Sequence, residues 1–184
     1  MHQLMVGMCA EAMLRKIITD PAGFNDKERS ILLKESQLER WLQAVELAFR
    51  RHYGIPLHLE IDEDTVGVES AARFEAINAI LEEDLAEVID DRNKIAHGQW
   101  KWRTNFKETK ITATAPEPLN YLAIHSRSKA IHAIAALIND LVISEPTFKR
   151  DYESHYAQIT EAHAGFEGAD YGAYVAVLRS RRYD

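Results

Sequence analysis

Apolar residues recur at helical spacing along most of this chain. Leu38, Trp41, Leu42, Val45 and Phe49 lie three or four positions apart, which places them on one face of an α-helix. Two later stretches repeat the pattern, with apolar positions at Phe74, Ile77, Leu81, Leu85 and Val88 in the first and at Ile131, Ile134, Leu137, Ile138, Leu141 and Val142 in the second. Helices with one apolar face bury it by packing on each other, so the sequence predicts an all-α fold.

Local helix breakers and capping residues set the expected helix ends. The second helix should begin near Asp26, a good N-cap, and Gly54 should end it. Pro146 should stop the fourth helix. The expected helices are residues 3 to 19, Asp26 to Gly54, about Glu69 to residue 97, a fourth ending before Pro146, and about 147 to 164. We therefore expect one domain over residues 1–184, an up-down bundle of about five helices, with a C-terminal extension from about residue 165 that is either docked or frayed.

Two segments carry a weaker β signal. Leu57–Ile61 is expected to form a short strand in the loop before the third helix. The β-prone segment Thr109–Thr114 is expected to be one arm of a small β-hairpin, which Pro116 and Pro118 end. The expected fold is thus a helical domain with a small β-hairpin insertion over about residues 101–115.

Composition excludes several classes of protein. The single cysteine, Cys9, cannot form an internal disulfide, and no Cys/His pair has the spacing of a structural zinc site. No apolar run approaches the roughly 20 residues that a transmembrane helix needs. The chain also lacks the His-Glu-x-x-His, Gly-rich phosphate-loop and Gly-x-Ser-x-Gly motifs. We expect a cytoplasmic protein with no membrane span, no metal and no other cofactor.

Charge is distributed unevenly around residue 91. Between Glu60 and Asp91 there are twelve acidic residues and one basic residue, Arg73. The following stretch is basic and aromatic, with Arg92, Lys94, Lys101, Arg103, Lys107 and Lys110 interleaved with Trp100, Trp102 and Phe106. The formal net charge of −7 argues against broad, non-specific binding of nucleic acid, so any contact with RNA should be local.

The basic and aromatic stretch supports two interpretations. Basic side chains attract phosphate and exposed rings stack on unpaired bases, so Lys94, Lys101 and Arg103 are candidate RNA-binding residues. Alternatively, the lysines form a solvated face, and Trp100 and Trp102 pack against the helices because indole rings bury large areas.

The end of the expected third helix carries the most specific motif, Arg92-Asn93-Lys94-Ile95-Ala96-His97-Gly98. An Arg-x4-His spacing with Asn after the Arg resembles the signature of the HEPN family. The likeness is specific over residues 90 to 100 and loose over residues 1 to 145. It implies a helical fold and a metal-independent ribonuclease site that two protomers of a homodimer complete.

The chemistry of RNA cleavage suits these residue types. A histidine that titrates near neutral pH can move a proton at the 2′-hydroxyl or the leaving 5′-oxygen, which is the role expected for His97. The guanidinium of Arg92 can stabilise the charged phosphorane, and Asn93 can orient the phosphate or the histidine. An ideal helix places positions 92 and 97 about 140° apart, so one chain looks insufficient.

Each motif residue also has a purely structural interpretation. Arg92 could pair with Asp90, Asp91 or Glu87, Asn93 could be a polar residue at the helix end, and His97 could cap the helix C-terminus. At the level of function, the sequence favours an endoribonuclease of the toxin or phage-defence type that leaves 2′,3′-cyclic phosphate and 5′-hydroxyl ends and has an antitoxin or inhibitor protein as partner. The alternative is a non-catalytic HEPN dimer that binds a nucleotide, an RNA or a partner protein.

Overall fold

The computed structural model describes residues 2–98, 102–104, 111–114, 119–167 and 170–180. Its helices are α1 (His2–Thr19), α2 (Asp26–Leu32), α3 (Gln37–Tyr53), α4 (Glu63–Val66), α5 (Val68–Ile80), a π-helical turn (Leu81–Leu85), α6 (Ala86–Ala96), α7 (Tyr121–Ile143), α8 (Glu145–Glu167) and α9 (Tyr171–Ser180). The predicted all-α class is confirmed. None of the helices in the described ranges has both the length and the apolar character needed to cross a membrane.

The helix expected from Asp26 to Gly54 is two helices. Asn25, one residue before the expected cap, begins α2: its side chain accepts the backbone N–H of Glu28, and the Glu28 carboxylate accepts the N–H of Asn25. After α2 ends, the Ser36 hydroxyl caps a new helix, α3. The single-helix prediction was therefore wrong, because capping residues inside the expected helix start a second one. The predicted end at Gly54 is confirmed, with a left-handed φ of 67°.

The third expected helix is continuous from Val68 to Ala96 and contains the π-helical turn. The side chains of Ile77, Leu81 and Leu85 are almost fully buried, as the apolar stripe predicts. The π-helical turn has a wider winding than the α-helix and changes the direction in which the following side chains point. The apolar pattern does not reveal it, because both of the leucines that bound the turn remain in the core.

The core lies around α7, which packs against α8, α1 and α3. Phe49 of α3 lies at its centre, with ring centroids 5.1 Å from Phe74 and 5.8 Å from Phe148. Two basic residues of α3 also bind the end of α7: Arg51 donates to the carbonyl of Val142, and His52 hydrogen-bonds the carbonyl of Leu141. The aromatic packing joins α3 to α5 and α8, and the capping joins α3 to the end of α7.

The loop after α3 is a turn, so the strand expected at Leu57–Ile61 was wrong. The Arg50 guanidinium donates to the carbonyls of Pro56 and Leu59 at 2.8 and 2.9 Å, and these contacts hold the loop without a strand partner.

Pro146 was expected to stop a helix, but it lies in the first turn of α8, where a missing N–H costs nothing. Helix α7 already ends at Ile143.

The C-terminal extension contains α9, which contacts the rest of the protein at its start. The ring of Tyr174 stacks on that of Tyr121, the first residue of α7, with centroids 5.9 Å apart. Asp170 accepts the backbone N–H of Ala173 and so caps the helix. No residue of α9 is buried, so a docked extension stays a prediction.

Two short strands pair antiparallel after the motif, β1 (Trp102–Thr104) and β2 (Ile111–Thr114). The register is irregular between Arg103 and Thr104. The chain that would connect the strands, and Pro116 and Pro118, lie outside the described residues. The hairpin as a unit therefore stays a prediction.

Candidate functional site

The Arg-x4-His motif lies at the C-terminal end of α6. Arg92 and Asn93 are helical, while His97 takes the C-cap position with φ −85° and ψ 13°. Gly98 follows with a φ of 76°, and its N–H donates to the carbonyl of Ile95 at 3.1 Å. A left-handed residue after the helix end favours glycine, which explains why Gly98 follows the histidine.

Arg92 is held by a carboxylate from another helix. Its Nη2 donates to Oε2 of Glu11 in α1 at 2.6 Å, and its Nη1 donates to Oδ1 of Asn93 at 2.8 Å. The side chain remains 28% exposed. Sequence reasoning missed Glu11, which lies 81 residues before Arg92.

The partners expected for Arg92 were Asp90, Asp91 and Glu87, and this expectation was wrong. Those carboxylates point to other cations: Asp90 pairs with Lys94, whereas Asp91 and Glu87 pair with Arg127. The expected pairs were inferred from the spacing of the residues along one helix. The observed pair with Glu11 forms because α1 crosses α6 at Arg92.

A glycine permits that crossing. A Cβ atom placed on Gly7 would lie 2.4 Å from the Cβ of Arg92 and 2.7 Å from its Cγ, which is closer than real contacts allow. Glycine therefore lets α1 approach the Arg92 stem. Glu11, one helical turn after Gly7, is then within reach of the guanidinium. A glycine inside an otherwise helical apolar stretch was the available signal for this contact.

Asn93 and His97 contribute differently. The Asn93 side chain fixes Arg92 rather than the histidine, since it accepts the Arg92 hydrogen bond. The imidazole of His97 is exposed and makes no hydrogen bond or ion pair with any residue in the described part of the chain. The structural interpretation of His97 as a helix C-cap is confirmed. Within one chain, the structure does not bring the imidazole into hydrogen-bonding contact with Arg92.

The candidate RNA-binding residues have different outcomes. Lys94 forms an ion pair with Asp90, one turn earlier, at 2.7 Å, so part of its charge is neutralised. Lys101 lies outside the described residues, and only the backbone of Arg103 is described, in β1. Their contact with RNA stays a prediction.

Asp91 anchors a second side of α6. Its carboxylate accepts hydrogen bonds from Nε2 of Gln3 at 3.0 Å and from Nη1 of Arg127 at 3.1 Å. Its side chain is 5% exposed. Arg127 reaches Glu87 as well, at 2.6 Å. These contacts join α1, α6 and α7 beneath the motif and fix the position of its helix.

A second polar cluster lies beside the π-helical turn, in a cavity of about 190 Å³ between α6, α7 and α8. Oδ2 of Asp84, in the turn, lies 2.9 Å from Nε2 of His163 in α8. Burial raises the pKa of the Asp84 carboxyl; His163 opposes this shift, and the charges of Glu83 and Glu87 add to it. Sequence reasoning found no role for His163, because the aspartate that faces it is distant in sequence.

Among the described residues, no group of three or more histidine, cysteine, aspartate or glutamate side chains is arranged to hold a metal ion. In comparisons with known proteins, no family model, no curated protein and no solved structure matches this chain.

Proposed function

We propose that this chain is a metal-independent endoribonuclease of the HEPN type, acting as a toxin or in phage defence, with a site that two protomers complete. One observation carries the proposal: Arg92, fixed by Glu11 and Asn93, lies near the C-terminal end of α6, and the exposed residue His97 caps that end. A held guanidinium and an accessible imidazole are the two groups that metal-free cleavage of RNA requires.

The guanidinium of Arg92 keeps binding capacity toward phosphate. Each Nη atom carries two hydrogens, and the contacts with Glu11 and Asn93 use one from each. The side chain is partly exposed, so the remaining hydrogens can reach phosphate oxygens. Glu11 and Asn93 hold the guanidinium in place before substrate arrives, which reduces the ordering that binding must bring about.

His97 supplies the proton transfer. In this mechanism one imidazole removes the proton of the 2′-hydroxyl, whose oxygen attacks the phosphorus. A second imidazole gives a proton to the leaving 5′-oxygen, and the products are a 2′,3′-cyclic phosphate and a 5′-hydroxyl. One chain supplies one motif histidine. The proposal therefore places His97 of each protomer in one cleft of a homodimer, with an antitoxin or inhibitor protein as a further partner.

The alternative function is a non-catalytic HEPN dimer that binds a nucleotide, an RNA or a partner protein. The ion pair between Arg92 and Glu11 favours this alternative, because the carboxylate offsets part of the positive charge that would stabilise the phosphorane. Binding and cleavage must therefore be measured separately.

The decisive experiment incubates purified protein with total RNA in EDTA and compares wild type with His97→Ala. The control is His58→Ala, which removes an exposed histidine far from the motif in sequence. We expect wild type and His58→Ala to cleave RNA in chelator, and His97→Ala to cleave at least roughly 10²-fold more slowly with little change in RNA affinity.

Three results would each contradict a part of this proposal. If the wild-type protein cuts no RNA, the ribonuclease is excluded and the binding module is retained. If activity is lost in EDTA and restored by magnesium or manganese, a metal ion drives the reaction. Finally, the solution mass should be near twice 21.0 kDa, and a monomer at micromolar concentration that still cleaves would exclude the composite site.

A further inference from the structure

The cavity beside the π-helical turn combines an apolar floor with an acidic rim. Leu85, Val88 and Ile131 form part of the floor, and each is at most 7% exposed. The carboxylates of Asp84 and Glu87 lie at the rim, on consecutive turns of one helix. Pockets that bind small molecules typically have this composition, a mostly apolar wall with a few polar groups that fix orientation.

The volume limits the size of a ligand. An apolar cavity of about 150 Å³ holds one benzene molecule. The cavity here measures about 190 Å³ and is lined on one side by ionisable groups, so it can take one ring and a short polar arm.

The charges around the cavity determine which charge the ligand's polar group should carry. The basic side chains that line the cavity already have carboxylate partners: Arg127 binds Glu87 and Asp91 at 2.6 and 3.1 Å, and His163 binds Asp84 at 2.9 Å. Asp84 and Glu87 line the cavity, and Asp91 lies beyond it on Arg127, so among the described residues of this cluster three carboxylates outnumber one guanidinium and one imidazole. A cationic group gains attraction here, whereas an anionic group meets repulsion.

We propose that this cavity binds a small organic cation, an ammonium attached to an apolar body about the size of one aromatic ring. The ammonium donates to the carboxylates of Asp84 and Glu87, and the body rests on the apolar floor. This site is independent of the motif residues and does not depend on the ribonuclease.

His163 is the group that the ligand displaces. Its imidazole contacts the carboxylate of Asp84 in the ligand-free protein. Its side chain is 43% exposed, so it can rotate into solvent when the ligand binds. An arriving ammonium therefore exchanges one partner of Asp84 for another. Removing the imidazole leaves Asp84 available, which should tighten binding.

The test uses three probes of matched size in isothermal titration calorimetry at pH 7: benzylamine, benzyl alcohol and benzoate. We expect benzylamine to bind one site saturably and at least about tenfold more tightly than benzyl alcohol, a difference that corresponds to one ionic contact of moderate strength. Benzoate should show no binding. The proposal is overturned if benzylamine does not bind at millimolar concentration, or if either of the other probes binds as well as it does.

Variants assign the binding to the cavity. Asp84→Asn should weaken benzylamine at least about fivefold, and His163→Ala should tighten it. The matched control is Asp140→Asn, because Asp140 also pairs with a histidine of α8, His155, at 3.0 Å but does not line this cavity. Asp140→Asn should leave the affinity unchanged. Equal weakening by the two aspartate variants would refute the site.

A further variant covers the case in which Asp84→Asn folds poorly. Ala130→Leu leaves every charge in place but fills part of the cavity, since Ala130 lines its wall and is 7% exposed. Benzylamine binding should be lost in this variant, with its melting temperature recorded alongside. Full affinity in a folded Ala130→Leu protein would place the ligand elsewhere and overturn the proposal.

Discussion

Asp91 and Arg92 are adjacent on α6 and carry opposite charges, yet their surroundings differ sharply. The side chain of Asp91 is 5% exposed, and its carboxylate accepts hydrogen bonds from Gln3 of α1 and Arg127 of α7. Arg92 is 28% exposed, and Glu11, its charged partner among the described residues, is 36% exposed. The helix turns one residue into the protein and its neighbour toward solvent, because successive positions lie about 100° apart.

This difference separates two kinds of charged residue. A carboxylate held by two helices and removed from water must keep its partners, because an unpaired buried charge is costly. A guanidinium at the surface loses little when its partner is removed, since solvent replaces the contact. The larger contribution to stability at the end of α6 is therefore expected from Asp91.

The largest effect on stability is expected from Asp91→Ala. The substitution takes one carboxylate away from Arg127, whose side chain is 12% exposed, and removes the acceptor of Gln3. We expect a loss of about 3 kcal/mol, or roughly 6–12 °C in melting temperature. Asp90→Ala is the control, because Asp90 is 48% exposed and should change stability by less than about 1 kcal/mol. Thermal unfolding of both variants measures the difference. Equal melting temperatures would contradict the larger structural role of Asp91.

An intermediate effect is expected from Gly7→Ala, which tests how closely α1 approaches Arg92. The added methyl group would overlap the Arg92 stem, so α1 must shift, at a cost of about 1–3 kcal/mol. Gly172→Ala in α9 is the control: its Cβ would meet one side-chain oxygen of Asp170 at 3.2 Å, and alanine favours the helix. Denaturant unfolding should show a loss for the first variant alone. A Gly7→Ala protein as stable as wild type would mean that the crossing tolerates a side chain.

The smallest effect on stability is expected from Arg92→Ala. The pair with Glu11 is partly exposed on both sides, so its removal should cost less than about 1 kcal/mol. RNA binding and cleavage should nevertheless weaken together, and Arg92→Lys should not restore them fully because it lacks the planar fork. A melting temperature for Arg92→Ala as low as that of Asp91→Ala would show that Arg92 also has a structural role. The contrast between the two residues would then be wrong.

Part of the fold was predictable because it depends on neighbours in the chain. The apolar stripe through Leu81 and Leu85 predicted a helix and its buried face, and Gly54 predicted a helix end. Competition between caps was harder to foresee: Ser36 begins a new helix within a stretch whose period is helical on both sides. The π-helical turn left no trace in the apolar pattern, since it preserves the burial of the residues that flank it.

The sequence by itself determined the helical class and the placement of Arg92, Asn93 and His97 at one helix end, since periodicity and capping act over a few residues. Only the tertiary structure decided their partners. Glu11 meets Arg92 because a glycine lets two helices approach, and Asp84 meets His163 because α8 folds back along α7 beside the π-helical turn. Contacts between residues about 80 positions apart depend on how helices cross, and local chain preferences do not encode the crossing.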